Sequence, residues 1–144
     1  MQLTLFSDYA LRVLMFAHAA DARVVTVEEM ARAYGISRAH LMKVVSALTR
    51  SGYLEPVRGR SGGVRLGKPP AEIILGDVVR ATEPDFALVE CFGTSNQCVI
   101  TQRCKLQRVL RNALKAFLDE LDRHTLASIA LRPRDFPGLH ASAE

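Results

Sequence analysis

A chain of 144 residues, 49% hydrophobic and 24% charged, is long enough for one compact domain and too apolar to be intrinsically disordered. Its three cysteines are an odd number with no export signal ahead of them, which argues against a disulfide-framed scaffold. The formal charge of +4 is only a mild lean toward an anionic partner, but its distribution is uneven.

From Arg38 to Lys68 seven Lys and Arg stand against the single acid Glu55, a local charge of +6. From Arg103 to Lys115 there are five bases and no acid, whereas Pro69 to Gln102 holds five acids against Arg80. A basic stretch that coincides with a helical motif is the usual electrostatic footprint of a DNA-binding protein.

The first predicted helix runs from Ser7 to Ala20, with Ser7 as its cap and Tyr9, Ala10, Val13, Leu14 and Ala17 on one face. Arg12 and Asp8 interrupt its apolar run, which is also too short to span a bilayer. A buried helix in a cytoplasmic protein with no membrane association is therefore expected. Thr26-Val27-Glu28-Glu29 is a capping box that opens a second helix with Val27, Met30 and Ala31 inward. Gly35 supplies the turn that ends it. Ser37 caps a third helix, Arg38 to Arg50, with Leu41, Val44, Val45 and Leu48 inward. Helix, short glycine turn, helix is the helix-turn-helix pattern.

Two apolar runs, Tyr53–Val57 and Val64–Leu66, flank Arg58-Gly59-Arg60-Ser61-Gly62-Gly63 and read as a β-hairpin. Pro56 assigns its strand to an edge. A hairpin directly after a helix-turn-helix is the wing of a winged helix. Its glycines let a DNA backbone come close and its arginines supply charge. A short helix from Gly76 to Glu83, stopped by Pro84, follows. A long one then runs from Cys104 to about Ala130, with Leu106, Val109, Leu110, Leu114, Phe117, Leu118, Leu121 and Leu126 in a broad apolar stripe. Such a stripe needs a partner, and a second copy of the chain is the economical one.

The expected fold is mainly α with a small β-hairpin wing, a winged helix-turn-helix plus a long C-terminal dimerisation helix. The expected divisions are residues 1–83 for DNA binding, 84–104 for a cysteine-bearing loop, 105–131 for dimerisation and 132–144 for a loose tail. The DNA-facing candidates are Ser37, Arg38, His40, Lys43 and Arg50 on the third helix, and Arg58, Arg60, Ser61 and Arg65 in the wing. No nucleophile–base pair, paired-carboxylate spacing or nucleotide-binding glycine loop points to an enzyme.

Cys91, Cys98 and Cys104 are spaced C-x6-C-x5-C. Buried thiols are one reading, although a loop rich in Gly, Thr, Ser and Asn needs no apolar filler. Zinc is a second, against which stands the lack of a closely spaced cysteine pair. An iron–sulfur cluster is a third, because a body wider than one ion accepts longer spacings.

The chain resembles the Rrf-type winged-helix iron–sulfur regulators over roughly Met1 to Ile129. The matching pieces are Leu3 through Arg12, Ala31 through Ser37, the Arg58–Gly63 wing and the cysteine triplet. The resemblance implies a homodimeric repressor that binds an inverted-repeat operator in double-stranded DNA. It also implies one cluster per subunit on Cys91, Cys98 and Cys104, of the 4Fe–4S type with 2Fe–2S as the alternative. Within the family the look is nearest to the repressors that sense nitric oxide. The branch that regulates cluster assembly has a histidine ligand where this chain has Gln107, and Asp8 stands where some nitric oxide sensors supply a ligand from the other subunit. A thiol-redox or iron–sulfur-status repressor on the same fold is the alternative function.

Overall fold

The computed structural model describes residues 1–139. It comprises α1 (Leu5–Ala19), α2 (Val27–Tyr34), α3 (Arg38–Arg50), strands β1 (Leu54–Val57) and β2 (Gly63–Leu66), α4 (Leu75–Thr82) and α5 (Lys105–Asp122), with short 3-10 turns in the later connections. The expected mainly helical fold with one hairpin is the one observed. No helix among the described residues is long and apolar enough to cross a membrane.

Helix α1 is the spine of the core. Ala10, Val13, Leu14 and Ala17 recur at helical spacing and are buried together with Phe16. They pack against α3, α4 and β2. The cap of this helix corrects the sequence expectation. Thr4, not Ser7, is the N-cap, and its hydroxyl accepts from the Ser7 amide at 3.2 Å. Ser7 is instead buried and accepts from the Thr82 hydroxyl at 2.8 Å. Both residues are competent caps. What decides is a tertiary partner, Glu83, whose carboxylate takes the Thr4 amide and hydroxyl, each at 2.8 Å.

Helix α2 opens on the expected capping box, with the Glu29 amide donating to Thr26 Oγ1 at 3.1 Å and the Thr26 amide to Glu29 at 2.7 Å. Burial would raise the Glu29 carboxyl, but hydrogen bonds from Arg23 and from Thr26 outweigh it and hold the group below its ordinary range. Gly35 ends the helix at φ +64°, a left-handed conformation that a side chain would strain. Ser37 then caps α3, and Leu41, Val44, Val45 and Leu48 all face inward as their spacing requires.

The hairpin pairs Leu54 with Leu66 and Pro56 with Val64. Val64 exchanges both of its backbone hydrogen bonds with Val25, at 2.9 and 2.8 Å, so its pairing with Pro56 needs no proline N–H. That places β1 at the edge, as Pro56 demands. A Cβ at Gly63 would lie 2.3 Å from the Val25 carbonyl, so the bridge that ties the wing to the core requires glycine there.

The C-terminal part departs from expectation. Helix α4 begins one residue early, at Leu75. Helix α5 ends at Asp122 and does not continue to residue 131. Past it, the Leu75 amide donates to the His124 carbonyl at 3.0 Å and the Leu126 amide to the Ile73 carbonyl at 2.8 Å. Thr125 caps a 3-10 turn over Leu126–Ile129, and Leu126 enters the core instead of extending the stripe. The tail is likewise anchored over its described part: Phe136 and Leu139 are buried, and Phe136 sits edge-on to Phe16 at 5.2 Å and to Tyr34 at 5.9 Å. Residues 140–144 of the expected loose tail lie outside the described residues. Bidentate hydrogen bonds from Arg80 to Asp122, at 2.6 and 2.7 Å, clamp α4 to α5.

Candidate nucleic-acid interface and cysteine segment

Helix α3 presents Arg38, Ala39, His40, Met42, Lys43, Ser46 and Arg50 outward, all exposed. Its N-terminus is open, and the Ser37 hydroxyl accepts from the His40 amide at 3.5 Å while its own O–H stays available. Arg38 is held on two sides: Nε donates to Glu28 of α2, and Nη1 lies 2.9 Å from the Met42 sulfur. The Arg38 hydrogen bond keeps the Glu28 carboxyl below its ordinary range. The His40 ring lies 6.3 Å from the Tyr9 ring, so this residue leans toward α1. Lys43 and Arg50 form no ion pair among the described residues.

In the wing, Arg58, Arg60 and Ser61 occupy the exposed tip between the strands. Arg65 is different, because its Nε donates across the hairpin to Glu55 at 3.1 Å. The exposed α3 terminus and the two arginines of the wing tip are each suited to a polyanion.

The cysteine segment joins α4 to α5. Cys91 lies half-buried in the 3-10 turn Glu90–Phe92, Cys98 is exposed, and Cys104 is the half-buried residue at the N-cap position of α5. All three thiols are free. The segment is organised around Cys98: its amide donates to Asn96 Oδ1 at 3.0 Å, and its carbonyl accepts from the Thr101 hydroxyl at 2.8 Å. No three His, Cys, Asp or Glu side chains among the described residues gather closely enough to hold a single metal ion. The structure therefore does not bring the cysteines together as a mononuclear site. The Arg111 guanidinium lies 4.8 Å from the Phe92 ring, and an open groove of about 630 Å³ runs between this segment and α5.

Asp8 sits in the first turn of α1, with both carboxylate oxygens taken by Arg12 at 2.9 and 2.7 Å. The clasp next to it, Thr4–Glu83 and Ser7–Thr82, ties the start of α1 to the end of α4, where the cysteine segment begins. Sequence reasoning missed Glu83, which lies 79 residues from Thr4 and leaves no local signal. It also passed over Met42, although apolar spacing on α3 could have marked it as the large residue outside the buried set.

A glycine-turned pair of helices with an open N-terminus, a basic hairpin beside it and a cysteine segment leading to an amphipathic helix define a winged helix-turn-helix regulator. The model of the Rrf2 family, described as iron-dependent transcriptional regulator, matches residues 3–132, and this chain belongs to that family. The chain is 48% identical over 133 residues to the helix-turn-helix transcriptional regulator NsrR of Bacillus licheniformis, a match that covers 91% of this chain and 93% of the relative. It is 50% identical over 131 residues to NsrR of Geobacillus kaustophilus, covering 90% and 89%. Among solved structures, the oxidised form of CymR from Staphylococcus aureus superposes with a TM-score of 0.71 at 25% identity, covering 90% of this chain and 96% of that one. The chain is a DNA-binding transcriptional regulator and not an enzyme.

Proposed function

We propose that this protein is a cytoplasmic homodimeric repressor that holds an inverted-repeat operator and releases it in response to nitric oxide. Its sensor is an iron–sulfur cluster, one per subunit, on Cys91, Cys98 and Cys104. The observation that carries this reading is the placement of three free thiols in one irregular segment, directly ahead of an 18-residue amphipathic helix with no residue fully buried within the chain. Three soft thiolates fit an iron–sulfur cluster, whose several irons accept donors too far apart for a single ion. When bound, 4Fe–4S or 2Fe–2S, it supplies iron sites that nitric oxide attacks.

The chain's own residues do the rest. The apolar face of α5 pairs with the same face of a second copy and sets the spacing of the two reading heads. The α3 N-terminus enters the major groove, with Arg38 and Lys43 reaching base edges and phosphates, His40 beside them, and Ser37 and Arg50 on the backbone at either end. Arg58, Arg60, Ser61 and Arg65 in the wing hold the flanking backbone. Asp8 is the candidate fourth ligand, given across the dimer, and it must leave Arg12 to serve. A small change in head spacing is enough to release DNA, since each lost base contact costs about 1–3 kcal/mol.

A thiol-redox repressor, or one that reads iron–sulfur status, is the second reading, favoured by the open exposure of Cys98. Fluorescence anisotropy of anaerobically purified protein on a duplex selected from a random-sequence pool separates the cluster-based reading from the thiol-redox one. Binding should be lost on adding nitric oxide and should be insensitive to mild thiol oxidants. A Cys98→Ala protein that still binds and still lets go with nitric oxide would overturn the reading.

A further inference from the structure

Helix α3 buries Leu41, Val44, Val45 and Leu48 but leaves Met42 46% exposed. Ala39 lies three residues before it and Ser46 four after, and both are exposed as well. At helical spacing the three share one face. The result is an uncharged strip along the middle of an otherwise basic reading helix, with Arg38 at its head and Lys43 alongside. The Met42 sulfur lies 2.9 Å from Arg38 Nη1, and Arg38 is itself paired with Glu28 of α2. No described residue covers it. Met42 belongs to the same exposed helical surface as the residues placed against DNA above. In the major groove the apolar group offered by a base edge is the thymine C5-methyl.

We infer that Met42, with Ala39 beside it, is a specificity determinant that packs on thymine methyl groups in each half-site. The operator should therefore carry thymine under the centre of α3. This rests on the DNA-reading role proposed above, and the test is built to tell the two failures apart. A duplex is selected from a random-sequence pool by the full-length, anaerobically purified protein. Each half-site thymine is then replaced singly by deoxyuridine, which removes the methyl and keeps the base pair.

At one or two adjacent positions the wild-type protein should lose affinity about fourfold, the factor expected for one buried methyl group. In Met42→Ala that loss should vanish, while in Arg60→Ala overall affinity should fall and the methyl effect should remain. Reselection with Met42→Gln should exchange thymine for adenine at the same position, because a glutamine amide pairs with the adenine edge. A specific duplex with no uracil position whose effect depends on Met42 would overturn this inference and leave the regulator reading intact. A selection that yields no specific duplex at all would overturn both.

Discussion

Replacing Leu106 and Val109 together with alanine tests whether α5 is the seam between two copies of the chain. Within one protomer these side chains are 61% and 59% exposed, on a helix with no fully buried residue. Full burial of a Leu or Val side chain contributes about 1.5–3 kcal/mol, so the part still open contributes ~1–2 kcal/mol each. Two such side chains on each of two protomers sum to ~4–7 kcal/mol, a dissociation constant weakened ~1,000- to 100,000-fold. Alanine is the best helix former, so α5 itself should survive the change. Sedimentation velocity over a concentration series should show a dimer for the wild type and a monomer for the double variant, with unchanged far-UV circular dichroism. A wild type that sediments as a monomer, or a variant dimer of undiminished affinity, would refute the reasoning.

Gly63→Ala should cost about 1–3 kcal/mol in chemical denaturation, as typical of overpacking, because the new Cβ would stand 2.3 Å from the Val25 carbonyl. The Phe136→Ala protein should lose about 3 kcal/mol, since it empties the edge-on contacts to Phe16 and Tyr34; a tail without structural weight would leave the melting midpoint where it was. Burial would raise the Glu83 carboxyl, but hydrogen bonds from Ser7 and from the Thr4 amide and hydroxyl bring it below its ordinary value. A depressed carboxyl stabilises the fold above its unfolded value and stops doing so as pH falls through the folded one. Glu83→Gln should therefore melt lower than wild type at neutral pH, with the gap closing below about pH 4. A gap that is the same at every pH would contradict an ionised clasp.

The reading head is legible in the chain because its signals are local. The Thr26 and Glu29 reciprocal cap, the Gly35 turn, and the spacing of Leu41, Val44, Val45 and Leu48 each act within one or two helical turns. Pro56 in β1 likewise announces an edge strand without knowledge of the core. What the sequence hides is tertiary. Thr4 wins over Ser7 as cap through Glu83, a partner from the far end of α4. Leu126 has the spacing of the α5 stripe and is drawn into the core only because Ile73 and Leu75 bind the backbone around it. Phe136, flanked by Pro133 and Pro137, reads as loose chain until the Phe16 and Tyr34 rings are seen to receive it. The cysteine spacing identifies donors but not their convergence, and the ion pairs that occupy Arg38 and Arg65 come from Glu28 on another helix and Glu55 on the opposite strand.

Iron and acid-labile sulfide, counted per chain in anaerobically isolated protein together with its visible absorption, test the central claim most directly. The wild type should carry about two to four irons with matching sulfide and a broad visible band, as the cluster types held by cysteines do. Cys104→Ala should carry little of either. Colourless wild-type protein, free of iron and yet binding its selected duplex in full, would contradict the claim and turn the cysteines into a thiol switch.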